Sequence, residues 1–68
     1  MDMRKLVGRN VRGVRQARGM TQEQLAEESG FSQQYISDLE RGRRNPTVVT
    51  LWELSQALGA TPLQLLQP

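Results

Sequence analysis

Four glycines divide this chain of 68 residues into short segments and so limit what it can fold into: Gly19, Gly30, Gly42 and Gly59. The segments carry apolar residues three or four positions apart, which is the period of an amphipathic helix, and none alternates as a strand does. Glycine just past a helix tolerates the positive φ of a helix end. We therefore predict a single all-α domain over residues 1–68, a compact bundle of five short helices.

The first helix is predicted over about Asp2 to Arg18. Its apolar positions recur at steps of four, four, three and three, and comprise Met3, Val7, Val11, Val14 and Ala17. Gly8 and Gly13 count against this helix, because each interior glycine costs roughly 1 kcal/mol relative to alanine.

Helix start signals agree with the glycine ends. Thr21 and Gln24 form a capping box for a second helix of about eight residues. Ser32 caps a third helix from Gln33 to about Arg41. The remaining two starts are marked by proline and threonine, at Pro46-Thr47 for the fourth helix and at Thr61-Pro62 for the fifth.

Composition excludes several classes of protein. The chain has no Cys and no His, so it lacks disulfides, the usual zinc ligands, and the Cys or His groups of many catalytic sites. We expect no enzyme activity, no metal, no cofactor and no small-molecule substrate. Apolar runs such as Val48-Val49 fall far short of the roughly 20 residues that span a bilayer. Arg4 and Lys5 precede a charged stretch instead of the apolar stretch of a signal peptide, so a soluble cytoplasmic domain is expected.

Charge is distributed in blocks of one sign. Residues 1–18 hold six basic residues and one acid, residues 21–40 hold five acids and no base, and Arg41, Arg43 and Arg44 follow. Such a basic block is either a solvated helix face or the contact surface for a polyanion.

The second and third helices form a helix-turn-helix unit. Both are short and only Gly30-Phe31-Ser32 separates them, so they must cross steeply. The packing positions of this unit are filled by small or branched residues, namely Ala26, Gly30, Ile36 and Leu39.

Beyond this unit, the chain resembles the Cro/cI-type (XRE) helix-turn-helix family, which includes phage lambda-type repressors and many small bacterial regulators. The resemblance covers nearly the whole chain and is carried by residues 15–20, 21–26, 30–32, 35–42, 43–47 and 58–59. It implies a lambda-repressor-like fold and a sequence-specific regulator of transcription. Such a regulator binds double-stranded DNA as a homodimer on a palindromic operator, with the third helix in the major groove.

Gln33 and Gln34 are the first candidates for reading DNA bases. With Ser32 as cap, both lie on the first turn of the third helix, on the face opposite its apolar residues. A glutamine amide can pair with N6 and N7 of adenine. The alternative is that both are merely soluble helix formers.

Ser37 and Asp38 are the other two candidate base readers. Ser37 lies one turn later on the same face and can reach a base edge or a phosphate. Asp38 either accepts a hydrogen bond from cytosine N4 or serves as an acid facing Arg41 or Arg43.

Phosphate contacts are expected around these base readers, where they fix the register of the protein on DNA. Gln22 resembles the family residue that binds the DNA backbone at the amino end of the second helix. Thr21 is a candidate at the same end, and the alternative is that it only caps that helix. Tyr35 resembles the family position whose hydroxyl reaches a phosphate oxygen, and the alternative is that its ring packs on the helix surface. The loop after the third helix supplies further candidates, Arg41, Arg43, Arg44 and Asn45.

Three other features have structural interpretations. The resemblance implies an internal ion pair between Arg15 and Glu40 that ties the first helix to the third. Trp52 is expected to close the edge of the core. Leu63 and Leu66 are a candidate dimer surface near the carboxyl end.

Two rival functions remain open at this point. A protein-interaction adaptor would keep the fold and bind a partner protein through the third helix or through Trp52 and Leu63. A nonspecific architectural DNA-binding protein predicts a uniformly basic reading helix, which Asp38 and Glu40 oppose.

Overall fold

A computed structural model describes all residues from Met1 to Pro68. It contains five helices and no strand, as predicted: α1 (Met3–Ala17), α2 (Gln22–Ser29), α3 (Gln33–Glu40), α4 (Val48–Leu58) and α5 (Pro62–Leu66). The first helix is one residue shorter at each end than predicted, because Asp2 and Arg18 are its caps. No helix has the length and apolar character needed to cross a membrane.

The predicted capping residues begin the helices. Thr21 and Thr61 each form a complete capping box with the glutamine three residues later, and Ser32 Oγ accepts a hydrogen bond from the backbone N–H of Tyr35 at 3.0 Å. Thr47 caps α4, so that helix begins at Val48. Each cap binds an N–H group that has no partner inside its helix, which is why these local signals could be recognised in the sequence.

The core lies where all five helices meet. It is formed mainly by aliphatic side chains, comprising Val7, Val11, Leu25, Ala26, Ile36, Leu39, Leu54, Leu58 and Leu65. The predicted apolar stripe of α1 is wrong at its ends, since Met3 and Ala17 are exposed. The buried face instead includes Leu6 and Arg15, because the shorter helices that pack on α1 cover only its central turns.

Trp52 does not close the core edge as expected: 53% of its surface is exposed. It precedes the buried Leu54 by two positions, which is about 200° around a helix, so the two side chains point in opposite directions. The buried side of α4 is completed by Ser55, whose hydroxyl donates to the Trp52 carbonyl oxygen at 2.7 Å.

Two polar side chains bind the carboxyl ends of later helices: Asn10 of α1 and Arg18, the residue that caps the carboxyl end of α1. Arg18 Nε donates to the Leu58 carbonyl oxygen at 2.7 Å and its Nη2 to that of Gly59 at 2.8 Å. Asn10 Nδ2 donates to the carbonyl oxygens of Leu65 and Gln67 at 3.0 and 2.7 Å. These bonds satisfy carbonyls that a helix end leaves free and fix α4 and α5 against α1.

Gly8 is the point of closest approach between α1 and α3. A Cβ atom there would collide with the Leu39 carbonyl oxygen and lie 2.9 Å from that of Glu40. The glycine that weakens α1 as an isolated helix therefore lets it lie against the carboxyl end of α3, which orients the helix-turn-helix unit.

Candidate nucleic-acid interface

The amino-terminal turn of α3 presents amides to solvent while its other face anchors it in the core. Gln33 and Gln34 are both exposed, as predicted, whereas Ile36 and Leu39 are fully buried. The preceding turn runs through Gly30, whose φ of 83° is left-handed and favours glycine. A firmly held helix thus carries two solvent-exposed amides on its first turn.

Asp38 makes different contacts from those expected. The prediction that it faces Arg41 or Arg43 is wrong: its Oδ2 lies 3.5 Å from Arg44 Nη2. Its Oδ1 accepts a hydrogen bond from Gln34 Nε2 at 3.0 Å. The chain turns back after α3, with the Arg43 backbone N–H donating to the Asp38 carbonyl oxygen at 2.9 Å, and this turn brings Arg44 to the carboxylate.

Tyr35 packs against two neighbouring side chains, Phe31 and Arg44. Its ring lies 4.9 Å from that of Phe31, centroid to centroid, with 25° between the planes. Arg44 Cζ lies 5.3 Å from the Tyr35 ring centroid, within reach of a cation–π attraction. The ring-packing alternative for Tyr35 is therefore observed, and contact of its hydroxyl with phosphate stays a prediction.

The predicted ion pair between Arg15 and Glu40 is confirmed. Arg15 Nε lies 2.6 Å from Glu40 Oε2 and its Nη2 donates to Oε1 at 3.1 Å, while Nη1 donates to the Met20 carbonyl oxygen. Only 10% and 4% of the two side chains are exposed. A bidentate pair shielded in this way fixes α1 to α3.

Gln22 joins the same carboxylate, which the sequence did not predict. Its Nε2 donates to Glu40 Oε1 at 3.0 Å, so one side chain of α3 is bonded to both α1 and α2. Thr21 caps α2, as expected, by accepting from the Gln24 N–H at 3.0 Å. The amino end of α2 can still bind an anion. It offers the second N–H of the Gln22 amide and the first backbone N–H groups of the helix.

Four candidate phosphate contacts lie in the loop between α3 and α4 and are all exposed: Arg41, Arg43, Arg44 and Asn45. Arg44 forms an ion pair with Asp38, whereas Arg41 and Arg43 have no carboxylate within ion-pair distance. The loop is held by Gly42, where a Cβ atom would lie 2.8 Å from Lys5 Cγ. The loop therefore packs on the first turns of α1 and keeps its arginines beside α3.

Arg12 also belongs to this surface and was missed as a site residue. It lines a polar cleft of about 200 Å³ together with Arg15, Gln22, Ser37, Glu40 and Arg41. Its position three residues before Arg15 places both on one side of α1. This spacing and the place of Arg12 in the basic block of residues 1–18 were the signals available in the sequence.

A family model, HTH_3, described as helix-turn-helix, matches residues 11–66. The chain belongs to this helix-turn-helix family. The resemblance to Cro/cI-type (XRE) regulators is thereby confirmed, and the fold is the DNA-binding fold of transcriptional regulators.

Named relatives support this assignment over nearly their full length. The HTH-type transcriptional regulator y4dJ of Sinorhizobium fredii is 62% identical over 68 residues, which cover 100% of this chain and 88% of the relative. Control protein C.BamHI of Bacillus amyloliquefaciens is 42% identical over 66 residues, covering 96% and 82%. The crystal structure of the restriction-modification controller C.AhdI from Aeromonas hydrophila superposes with a TM-score of 0.87 at 37% identity, covering 91% of this chain and 94% of that one.

Proposed function

We propose that this helix-turn-helix protein regulates transcription by binding one double-stranded DNA sequence, with the first turn of α3 in the major groove. The observation that carries the proposal is the exposed pair Gln33 and Gln34 on a helix whose opposite face is buried. Unpaired arginines on the adjoining loop suit the phosphates that flank a groove. The relatives named as transcriptional regulators and control proteins support the same function.

Gln34 is oriented for adenine by the carboxylate beside it. Asp38 accepts from Gln34 Nε2, which leaves the amide oxygen and the second N–H of the same amide free. Adenine presents an N6 donor beside an N7 acceptor in the major groove, and this pair of free groups matches it. Asp38 thus positions the base reader Gln34, while Gln33 and Ser37 are the other proposed contacts with bases.

Phosphate contacts hold α3 in the groove. We assign them to the amino end of α2 and to the loop after α3, comprising Gln22, Tyr35, Arg41, Arg43, Arg44 and Asn45, with Thr21 acting through its cap. These groups carry no sequence information themselves. Their loss should weaken binding to every duplex alike.

A second copy of the chain completes the site. A single module of this kind covers only about 600–1,000 Å² of DNA-contacting surface, whereas two copies on a palindrome place their reading helices about 34 Å apart. We assign the dimer surface to α5, where Leu63 is 63% exposed and Leu66 also reaches solvent. Further exposed apolar residues on the adjoining α4 extend it, namely Val48, Val49 and Trp52.

Two substitutions test the division of roles in the DNA site. Gln33→Ala should lose discrimination at one base pair of each half-site, about 1–3 kcal/mol per pair, and leave binding to random DNA unchanged. Arg43→Ala should weaken operator and random DNA by the same factor and lower the salt slope by about one per protomer. Equal losses on both duplexes for both variants would contradict the assignment.

The exposed α4–α5 surface also favours a second candidate function, an adaptor that binds a partner protein. Trp52 and Leu63 are apolar side chains of the kind buried at protein interfaces. Sedimentation with and without operator separates the two functions. A dimer that Leu63→Asp dissociates supports the regulator, and a monomer that binds no duplex selectively supports the adaptor.

A further inference from the structure

The basic residues of α1 separate into two groups once the structure is known. Arg15 and Arg18 are used inside the protein, on Glu40 and on the carbonyl oxygens at the end of α4, and Arg4 lies 3.8 Å from Asp2. The basic residues left without a protein partner are Lys5, Arg9 and Arg12, here called the basic stripe.

The basic stripe occupies one exposed face of α1. Its members are four and three residues apart, which puts them on the same side of a helix, and all three are exposed. The opposite side of α1 is buried through Val7 and Val11. From first to last member the helix rises about 10 Å, so the stripe is a row of charges and not a single point.

No acidic side chain forms an ion pair with the basic stripe. Asp2 and Glu40 are the acidic side chains that line its clefts, and both are bonded to other groups. Glu40 is 4% exposed and bonded to Arg15 and Gln22, while Asp2 accepts from two backbone N–H groups at the start of α1. Asp2 therefore attracts Lys5 without forming an ion pair with it, and Arg9 and Arg12 present positive charge to solvent with no paired carboxylate.

Arg41 connects the basic stripe to the α3 surface. It lines a cleft of about 510 Å³ with Lys5 and Arg9. It also lines the smaller cleft in which Arg12 lies with Ser37 and Gln22. The positive surface thus runs without interruption from the proposed base-reading face to the first turns of α1.

We propose that the basic stripe is an additional DNA-binding surface that contacts backbone phosphates beyond those reached by α2, α3 and their loop. Duplex DNA carries one negative charge per about 1.7 Å of axis, so a 10 Å row of cations faces several phosphates. The inference rests on the proposed function for the duplex itself. It adds a sequence-independent contribution to affinity that a helix-turn-helix unit alone would lack.

The test compares two variants with the same change in net charge. Arg9→Gln with Arg12→Gln removes two charges from the stripe, and neither side chain makes a hydrogen bond that folding would lose. Gln56→Glu with Thr61→Asp lowers the net charge equally at exposed positions on α4 and at the N-cap of α5, and an aspartate at position 61 still caps the helix. Thermal unfolding and sedimentation establish that both variants fold and assemble as the unsubstituted protein does.

Binding is then measured against salt on the selected operator and on random duplex. With a slope of about −0.9 per neutralised phosphate, the stripe variant should have a slope shallower by about 1.8 per bound protomer. Its affinity should fall by one common factor on both duplexes, and the control variant should keep a slope near that of the unsubstituted protein. An unchanged slope in the stripe variant, or equal changes in both variants, would overturn the proposal.

The outcomes also separate this inference from the proposed function. If the unsubstituted protein prefers no duplex over another, the proposed regulator fails, whatever the stripe does. If it prefers an operator and the stripe variant binds both duplexes unchanged, the regulator stands and the basic stripe does not contact DNA.

Discussion

The same substitution at two glycines of α1 should change stability in opposite directions. Gly8 and Gly13 both lie in the interior of the helix, so alanine at either position gains about 1 kcal/mol of helix propensity. At Gly13 a Cβ atom meets nothing within 4 Å, and Gly13→Ala should therefore stabilise the protein by about 0.5–1 kcal/mol.

Gly8→Ala adds a collision that outweighs this gain. The new Cβ would strike the Leu39 carbonyl oxygen and lie 2.9 Å from that of Glu40, and backbone atoms at the end of a helix cannot rotate away as a flexible side chain can. Overpacking costs about 1–3 kcal/mol, and a collision with backbone atoms belongs to the upper part of that range, about 2–3 kcal/mol. After the gain of about 1 kcal/mol in helix propensity, the net effect should be a loss of about 1–2 kcal/mol.

Urea and thermal unfolding of the two variants measure the difference. With about 4–8 °C of melting temperature per kcal/mol in a domain of this size, Gly13→Ala should melt a few degrees higher than the unsubstituted protein. Gly8→Ala should melt about 5–15 °C lower. Similar stabilisation by both substitutions would refute the argument that Gly8 is required for the approach of α1 to α3.

Three further substitutions test the polar contacts. Glu40→Gln leaves the Arg15 guanidinium nearly buried without its counter-charge, so urea unfolding should show a loss of about 3–5 kcal/mol, comparable to the whole stability of a domain this small. Asp38→Ala releases the Gln34 amide and removes a carboxylate, so competition binding should show weaker discrimination at one base pair and tighter binding to random DNA. Desolvation raises the pKa of Asp2, but hydrogen bonds from two backbone N–H groups and nearby cations lower it below its ordinary value of 3.8. The stability that Asp2 contributes is therefore complete above pH 3.8 and lost as pH falls through the lowered pKa. Asp2→Asn keeps a capping side chain and should remove that part of the pH dependence in acid unfolding.

Elements with local causes could be predicted from the sequence. A cap such as Thr21 or Ser32 bonds an N–H group three residues away, and a terminal glycine acts through its own φ. Each signal is therefore complete within one stretch of sequence. The Arg15–Glu40 pair lies outside this rule, because it was found through the family resemblance and not through spacing.

Features set by packing between distant segments were missed or wrong. The exposure of Trp52 depends on which side of α4 meets the core. The partner of Asp38 depends on how the chain turns after α3, and the bond from Gln22 to Glu40 requires α2 and α3 to be placed first. The sequence indicates only that Gly8 weakens α1. The need for a glycine there arises from the close approach of the carboxyl end of α3, which lies far from Gly8 in the sequence.

Selection of binding sites from a pool of random duplexes, at several salt concentrations, tests the central claim most directly. If Gln33 and Gln34 read bases on a dimer, the pool should converge on an inverted repeat with adenine in each half-site and centres about 10–10.5 base pairs apart. Replacing both glutamines with alanine should abolish that convergence and leave the salt dependence intact. A pool that stays random with the unsubstituted protein, or converges equally with both glutamines replaced, would contradict the account.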